Sequence, residues 1–164
     1  MIRAHPVMIH RRAFFVLPPA VALLALASCT SAPTGPVGLT LMVHAGDDQN
    51  PDPNGHATPV AVRIYQLAAT DNFERADFFA LVTHEQETLG GDLLGSEEFV
   101  ISPGTSRTIT RTLASGTRYV GIAVLFRDVE HADWRATAPA SGAGPTDLTL
   151  SISGLRAVLS PGGS

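Results

Sequence analysis

Apolar and polar residues alternate along most of the chain after Val37, and this period of two limits the possible folds more than any other feature. Alternation of this kind predicts β-strands that each bury one face. The run from Arg118 to Phe126 is apolar on both faces, which is typical of a strand inside a sheet. The predicted strands are Val37–His44, Val60–Leu67, Glu98–Ile101, Arg107–Leu113, Arg118–Phe126, Asp147–Ser153 and a short last one at Leu155–Leu159.

One stretch interrupts the strands and predicts a helix. Asp71 and Glu74 have the spacing of a helix N-cap and its capping-box partner. The residues from Ala76 to Val82 can continue the helix, and Gly90–Gly91 stops it. The simplest architecture is therefore an all-β sandwich with a small helical insertion after the second strand.

Two short segments, Ser102–Thr105 and Ala114–Thr117, have the chemistry of turns. They lie between consecutive predicted strands. The three strands around them are therefore expected to form a meander.

The first 28 residues predict a secretory signal peptide. Three arginines precede the apolar run Ala13–Ala27, whose 15 residues fall short of the roughly 20 that span a bilayer as a helix. The sequence at the end of this run, Leu26-Ala27-Ser28-Cys29, matches the bacterial lipobox, in which the cysteine thiol accepts a diacylglycerol. The alternative is an ordinary secretory signal that ends at a chance cysteine.

Cleavage before Cys29 divides the chain into four predicted parts. These are a signal peptide at 1–28, a lipidated cysteine and flexible tether at 29–36, a sandwich domain at 37–160 and a disordered tail at 161–164. The seven residues after Cys29 reach at most about 25 Å, so we expect the domain close to the membrane. Thr30 stands where enteric bacteria place Asp for inner-membrane retention, which favours the outer membrane.

The composition excludes several classes of site. A single cysteine forms no intramolecular disulfide and no paired-cysteine zinc site. After removal of the signal peptide, eight arginines and 15 acids remain, and this net charge of −7 argues against a nucleic-acid binder. The sequence has no G-x-S-x-G elbow, P-loop or dinucleotide fingerprint. His44, His56, His84 and His131 share no metal-ligand spacing, and we predict no cofactor.

Two long segments carry turn-forming residues instead of a strand pattern. Ala45–Pro59 contains three Asp, two Asn, two Gly and three Pro, and a loop of this length is usually functional or disordered. Its Asn50–Gly55 part resembles a calcium loop, but the twelfth position is Ala61 instead of the required Glu. The second segment, Asp128–Pro145, contains Trp134, which we expect to cap the core.

Several pieces of sequence, in this order, make the chain resemble the TssJ (SciN) family of type VI secretion outer-membrane lipoproteins. They are the lipobox Cys29, Pro59–Leu67 (PVAVRIYQL), Phe73 with Ala76–Leu81, Leu89–Leu94 (LGGDLL), Glu97–Phe99 with Pro103–Gly104, and Tyr119–Asp128 with Trp134–Arg135. The resemblance implies a transthyretin-like β-sandwich of two antiparallel sheets. It also implies a structural lipoprotein, and not an enzyme, that joins the outer membrane to the periplasmic C-terminal region of TssM, with TssL in the same complex.

In that family the loop between the first two strands contacts TssM, and this position falls on Gly46–Thr58. The resemblance therefore implies a partner-binding loop made of Gly46, Asp47, Asp48, Gln49, Asn50, Asp52, Asn54, Gly55 and His56. The acids of the loop are expected to steer a basic partner surface, and Pro51 and Pro53 limit the entropy lost on binding. Shortening the whole loop is expected to cost little stability.

Two other functions compete with this one. A generic periplasmic lipoprotein sandwich that binds a small ligand requires a large apolar pocket. A lipoprotein hydrolase requires a Ser/His/Asp arrangement, for which the sequence shows no local signature.

Overall fold

The computed structural model describes residues 38–142 and 144–163. The predicted signal peptide, the lipobox with Cys29 and the tether lie outside these residues. Eight strands are present: β1 (Gly38–Ala45), β2 (Val60–Leu67), β3 (Leu93–Ile101), β4 (Ser106–Thr112), β5 (Tyr119–Leu125), β6 (Arg135–Pro139), β7 (Thr146–Ser153) and β8 (Arg156–Pro161). The helices are α1 (Asp71–Arg75), α2 (Phe78–Thr83) and α3 (Glu85–Leu89), with single 3-10 turns at Gly90–Asp92 and Val129–His131.

The strands form two four-stranded sheets, which confirms the predicted sandwich. The first sheet has the order β4-β1-β7-β8 and the second has the order β3-β2-β5-β6. The expectation that both sheets are antiparallel is corrected at one place, because β1 and β7 run parallel, with Leu41 opposite Leu148. Alternation of buried residues is the same for either direction, so the sequence pattern cannot distinguish the two pairings.

The prediction that β3, β4 and β5 form a meander is wrong. β3 and β5 belong to the second sheet, whereas β4 pairs with β1 in the first sheet. The turns before and after β4 therefore carry the chain from one sheet to the other and back. Alternation shows which side chains are buried, but it does not show which strand lies alongside.

The second long segment is also less irregular than predicted, because it contains β6. This strand lies at the edge of the second sheet and pairs with β5, with Ala136 opposite Ile122. Its sequence, RATAP, alternates Arg135 and Thr137 with two alanines, which are small and poor strand formers, so the pattern is weak. Pairing with β5 therefore identifies this strand more clearly than its own sequence does.

The space between the sheets holds the main hydrophobic core. Val120, Ile122 and Val124 of β5 are completely buried there, as their alternation predicts. The outer face of the same strand is covered as well, since Ala123 packs in a second cluster beneath the helices. β5 is thus buried on both faces and flanked by β2 and β6, which confirms its predicted central position.

The helical insertion covers the outer face of the second sheet. Phe73 of α1 is fully buried and its ring meets Tyr65 edge-on, 5.2 Å between centroids. Gly121 makes room for it, because a Cβ there would lie 2.9 Å from Leu67 Cδ1 and 3.1 Å from Phe73 Cζ. Arg135 holds the end of α1, donating to the carbonyl oxygens of Phe73 (3.1 Å) and Ala76 (2.9 Å).

The single helix predicted from Asp71 is three short helices. Ala76 has extended backbone angles, so the chain leaves α1 after Arg75. The side chain that caps a helix is Asp77, whose carboxylate accepts from the backbone N–H groups of Phe79 (2.9 Å) and Ala80 (3.3 Å). Gly90, with φ +55, ends the last helix as predicted.

Trp134 packs against both hydrophobic clusters and not only against the end of the core. Its ring meets Phe78 edge-on at 5.0 Å, and the Arg135 guanidinium lies 4.7 Å from its centroid. At the C-terminus, Pro161 still belongs to β8, and the Gly162 N–H donates to the Asp147 carbonyl at 2.8 Å. The order of these two residues corrects the predicted start of a disordered tail at residue 161.

Candidate partner-binding surface

The predicted binding loop lies at one end of the sandwich, between the end of β1 and the start of β2. Three other connections share that end: the β3–β4 turn, the β5–β6 connection and the β7–β8 turn. Gly38, where the described chain begins, lies at the opposite end of β1. The loop is therefore separated from the N-terminal side of the domain by a strand about 25 Å long.

The loop begins with residues that attach it to the first sheet. The Gly46 N–H donates to the Ile152 carbonyl oxygen at 2.7 Å. The Asp48 carboxylate accepts from the Ser153 hydroxyl at 2.9 Å, and this bond, with help from the Gly154 backbone, lowers the pKa of Asp48. Asp47 is exposed beside this attachment.

Gln49 is completely buried beneath the loop. Its side-chain Nε2 donates to the carbonyl oxygens of Ile101 (3.0 Å) and Thr58 (3.3 Å), so it joins the two ends of the loop to the end of β3. Its Oε1 is buried without a hydrogen-bond partner. The Gln49 side chain therefore supports the loop and faces no partner.

Asn50 joins three connections at once. Its Nδ2 donates to Thr58 Oγ1 (2.9 Å) and to the Pro59 carbonyl (3.0 Å), which closes the loop on itself. Its Oδ1 accepts from the Arg127 N–H (2.9 Å), and its own N–H donates to the Gly154 carbonyl (2.8 Å). Asn50 is 2% exposed and has φ +46, a left-handed conformation that asparagine tolerates better than most residues.

The second half of the loop forms the exposed tip, Asp52–His56. Asp52 Oδ1 accepts from the backbone N–H groups of Asn54 (2.8 Å) and His56 (2.9 Å), and the bond from His56 is the main cause of the lowered pKa of Asp52. Gly55 has φ +83, which the tight turn requires. Asn54, Gly55 and His56 are exposed, so their side chains and backbone are available to a partner.

The structure thus divides the nine predicted binding residues into two groups. The group that reaches the surface comprises Gly46, Asp47, Asp48, Asp52, Asn54, Gly55 and His56. Gln49 and Asn50 are buried, so their predicted contact with a partner is replaced by an internal role. The buried amides also change what we expect from shortening the whole loop: their removal leaves their hydrogen-bond partners unsatisfied, which costs stability.

A groove adjoins the tip, and no sequence pattern predicts it. It is a surface depression of about 710 Å³ lined by Pro51, Asp52, Pro53, Arg127, Asp128 and Leu155. The Asp128 carboxylate lies 2.8 Å from Nδ1 of His131, which raises the pKa of that histidine. Arg127 and Asp128 belong to the sequence piece that carried the resemblance, but only the fold places them beside the loop.

Residues 38–142 and 144–163 provide neither a metal site nor a membrane-spanning helix. No group of three or more His, Cys, Asp or Glu side chains there is arranged to hold a metal ion. No helix in that part of the chain is long and apolar enough to cross a membrane. In the calcium-like Asn50–Gly55 segment, the side chains of Asn50 and Asp52 form hydrogen bonds within the loop itself.

The fold and the site define a β-sandwich domain with an exposed loop tip and an adjoining groove at the end where the β1–β2 loop lies. A family model described as type VI secretion lipoprotein, VasD, EvfM, TssJ, VC_A0113 matches residues 38–154. The chain belongs to this family of type VI secretion lipoproteins. The family is one of structural components of the secretion system, so the chain is not an enzyme.

Solved structures give the same assignment. The chain is 34% identical to TssJ1 from Pseudomonas aeruginosa, with a TM-score of 0.75 over 79% of this chain and 99% of that chain. It is 28% identical to a chain in a structure described as the TssM C-terminal domain (869-1107) from EAEC, with a TM-score of 0.65 over 76% and 98%. Lip from Serratia marcescens, at 24% identity and a TM-score of 0.66 over 76% and 97%, shares the fold. No curated protein matches the chain.

Proposed function

We propose that this lipoprotein anchors the type VI secretion membrane complex to the outer membrane by binding the periplasmic C-terminal region of TssM, with TssL in the same complex. The observation that carries the proposal is the exposed tip, Asp52–His56, next to the buried amides that fix the loop. A rigid loop loses little entropy on binding, so its contacts contribute more fully to affinity. Similarity to a chain in the structure described as the TssM C-terminal domain supports this choice of partner.

The direction of β1 fits this role. The chain enters β1 at Gly38, and the tip follows the other end of the strand, about 25 Å away. Cys29 precedes Gly38 by nine positions, which reach about 30 Å at most. A lipid on Cys29 would therefore attach through the end of β1 that is remote from the tip, which leaves the tip free for a periplasmic partner. More than one acyl chain makes such anchoring stable.

Binding is tested by calorimetry of the mature lipoprotein in detergent against the TssM periplasmic region. The double variant Asn54→Ala/His56→Ala removes two exposed side chains but keeps the backbone N–H groups that donate to Asp52. We expect its affinity to fall at least about tenfold. Ser115→Ala/Arg118→Ala, at the opposite end of the domain, is the matched control and should bind like the wild type. Wild-type affinity of the tip variant would place the interface elsewhere.

Anchoring is tested separately by membrane fractionation. Cys29→Ser removes the only thiol, so the protein should be released from membranes and secretion should stop. Thr30→Asp should move the lipoprotein towards the inner membrane in a host that follows the enteric sorting rule. Membrane-bound Cys29→Ser protein would contradict the lipid anchor, and unchanged fractionation of Thr30→Asp would contradict a sorting role for Thr30.

A further inference from the structure

The groove beside the tip is built from three separate connections. Pro51 and Pro53 come from the β1–β2 loop, Arg127 from the β5–β6 connection and Leu155 from the β7–β8 turn. Asn50 bonds to all three, because it lies within the first, accepts from the Arg127 N–H and donates to the Gly154 carbonyl. The walls of the groove are therefore fixed relative to one another before any partner arrives.

The three charged side chains that line the groove, Asp52, Arg127 and Asp128, differ in the partners that they already have within the domain. The Asp52 carboxylate accepts two backbone N–H groups, and the Asp128 carboxylate lies within hydrogen-bond distance of His131. In contrast, no carboxylate in the described part of the chain lies within 4.0 Å of the exposed Arg127 guanidinium. Of the three charged side chains that line the groove, Arg127 is thus the one with no oppositely charged group within 4.0 Å in the described residues.

We propose that the partner protein lays a segment into this groove, with an apolar side chain against Leu155, Pro51 and Pro53 and a carboxylate on Arg127. This inference rests on the proposed function and adds the chemistry of the bound segment. A guanidinium can hold a carboxylate through two parallel hydrogen bonds, which fixes orientation as well as charge. Continuity of the groove with the exposed tip lets one partner surface cover both.

The test measures the affinity of the mature lipoprotein in detergent for the TssM periplasmic region. Arg127→Glu should weaken binding by roughly thirtyfold or more, and Arg127→Lys should fall between it and the wild type, because lysine keeps the charge without the two-pronged geometry. Leu155→Gln should weaken binding through the apolar wall. The thermal midpoint of each variant checks that the fold is retained.

Arg156→Glu is the matched control, since it changes the net charge equally at the same end of the domain. Arg156 is already paired with Asp133 at 3.1 Å and lies outside the groove lining. We expect its affinity to change by less than about threefold. Equal losses for Arg127→Glu and Arg156→Glu would mean general charge repulsion and would overturn the groove proposal.

The outcomes separate this inference from the proposed function. If the tip variant loses affinity while Arg127→Glu binds normally, TssM binding stands and the groove proposal fails. If the wild-type protein does not bind the TssM region, both fail. A Glu→Lys or Asp→Lys change in the partner that restores binding to Arg127→Glu would identify the predicted carboxylate.

Discussion

The connection between β1 and β2 and the connection between β2 and β3 are both long, but they are ordered by different forces. Residues 46–59 are held by hydrogen bonds of two buried amides, Gln49 and Asn50. Residues 68–92 are held by burial of apolar side chains, among them Phe73, Leu81 and Leu89. Hydrogen bonds from buried amides fix a loop at a few points and leave its tip exposed. Burial of apolar side chains, in contrast, places one whole side of a segment in the core. The first arrangement suits a loop that binds a partner, and the second suits a segment that shields the outer face of a sheet from solvent.

The largest expected loss of stability comes from removing a buried apolar side chain of the β2–β3 connection. Phe73→Ala should destabilise the domain by about 3–5 kcal/mol, because the ring is fully buried against Tyr65 and Gly121. Phe79→Ala, on the adjacent helix, is the control and should cost less than about 0.5 kcal/mol, because Phe79 is 64% exposed. Chemical denaturation measures both. Equal stabilities would show that the insertion does not depend on the buried Phe73 ring.

A smaller loss of stability is expected from removing a buried amide of the β1–β2 loop. Asn50→Ala should cost about 1–3 kcal/mol, since it leaves buried groups such as the Arg127 N–H without their partner. It should also weaken partner binding, because the three connections around the groove are no longer joined. Asn50→Gly permits the same positive φ without the side chain, so it separates the backbone contribution from the hydrogen bonds. An Asn50→Gly protein as stable as the wild type would mean that only the backbone angle matters.

The smallest effect concerns protonation of the tip. The pKa of Asp52 is lowered in the folded state, chiefly by the His56 backbone N–H. A lowered folded pKa means that this contribution to stability is present above the ordinary aspartate value and is lost as the pH falls through the folded pKa. Carboxyl NMR titration should give an Asp52 midpoint below the ordinary value of about 3.9. His56→Ala should keep most of the shift because the backbone N–H remains; loss of the whole shift would assign it to the imidazole.

Prediction from the sequence succeeded where one local pattern decides the structure. β2 has the predicted limits, Val60–Leu67, because alternation from Val60 to Ile64 is followed by Tyr65 and Leu67, which are buried on the other face of the strand. Prediction failed for β6, whose weak alternation of polar residues with alanine does not stand out in the sequence, although it pairs with β5 at the edge of the sheet. It also failed for the capping residue, since α1 begins at Asp71 itself, with Thr70 in the N-cap position, and Asp77 caps the separate helix α2.

The candidate site shows the same limit. Composition identified residues 45–59 as the unusual loop, because prolines, glycines and short polar residues exclude a strand. It could not distinguish the buried Gln49 and Asn50 from the exposed Asn54 and His56, since all four are polar. Burial of an amide depends on whether other segments offer it partners, and these come from residues far along the chain.

The sequence by itself determined the strand pattern, the position of the irregular loop and the resemblance to the secretion lipoproteins. These properties reside in short-range spacing, which fixes which faces of each strand are apolar. Only the tertiary structure decided the parallel pairing of β1 with β7, the crossing of β4 to the other sheet and the groove between Pro51, Arg127 and Leu155. The reason is that each of these depends on contacts between residues distant in sequence, and many pairings bury the same apolar faces.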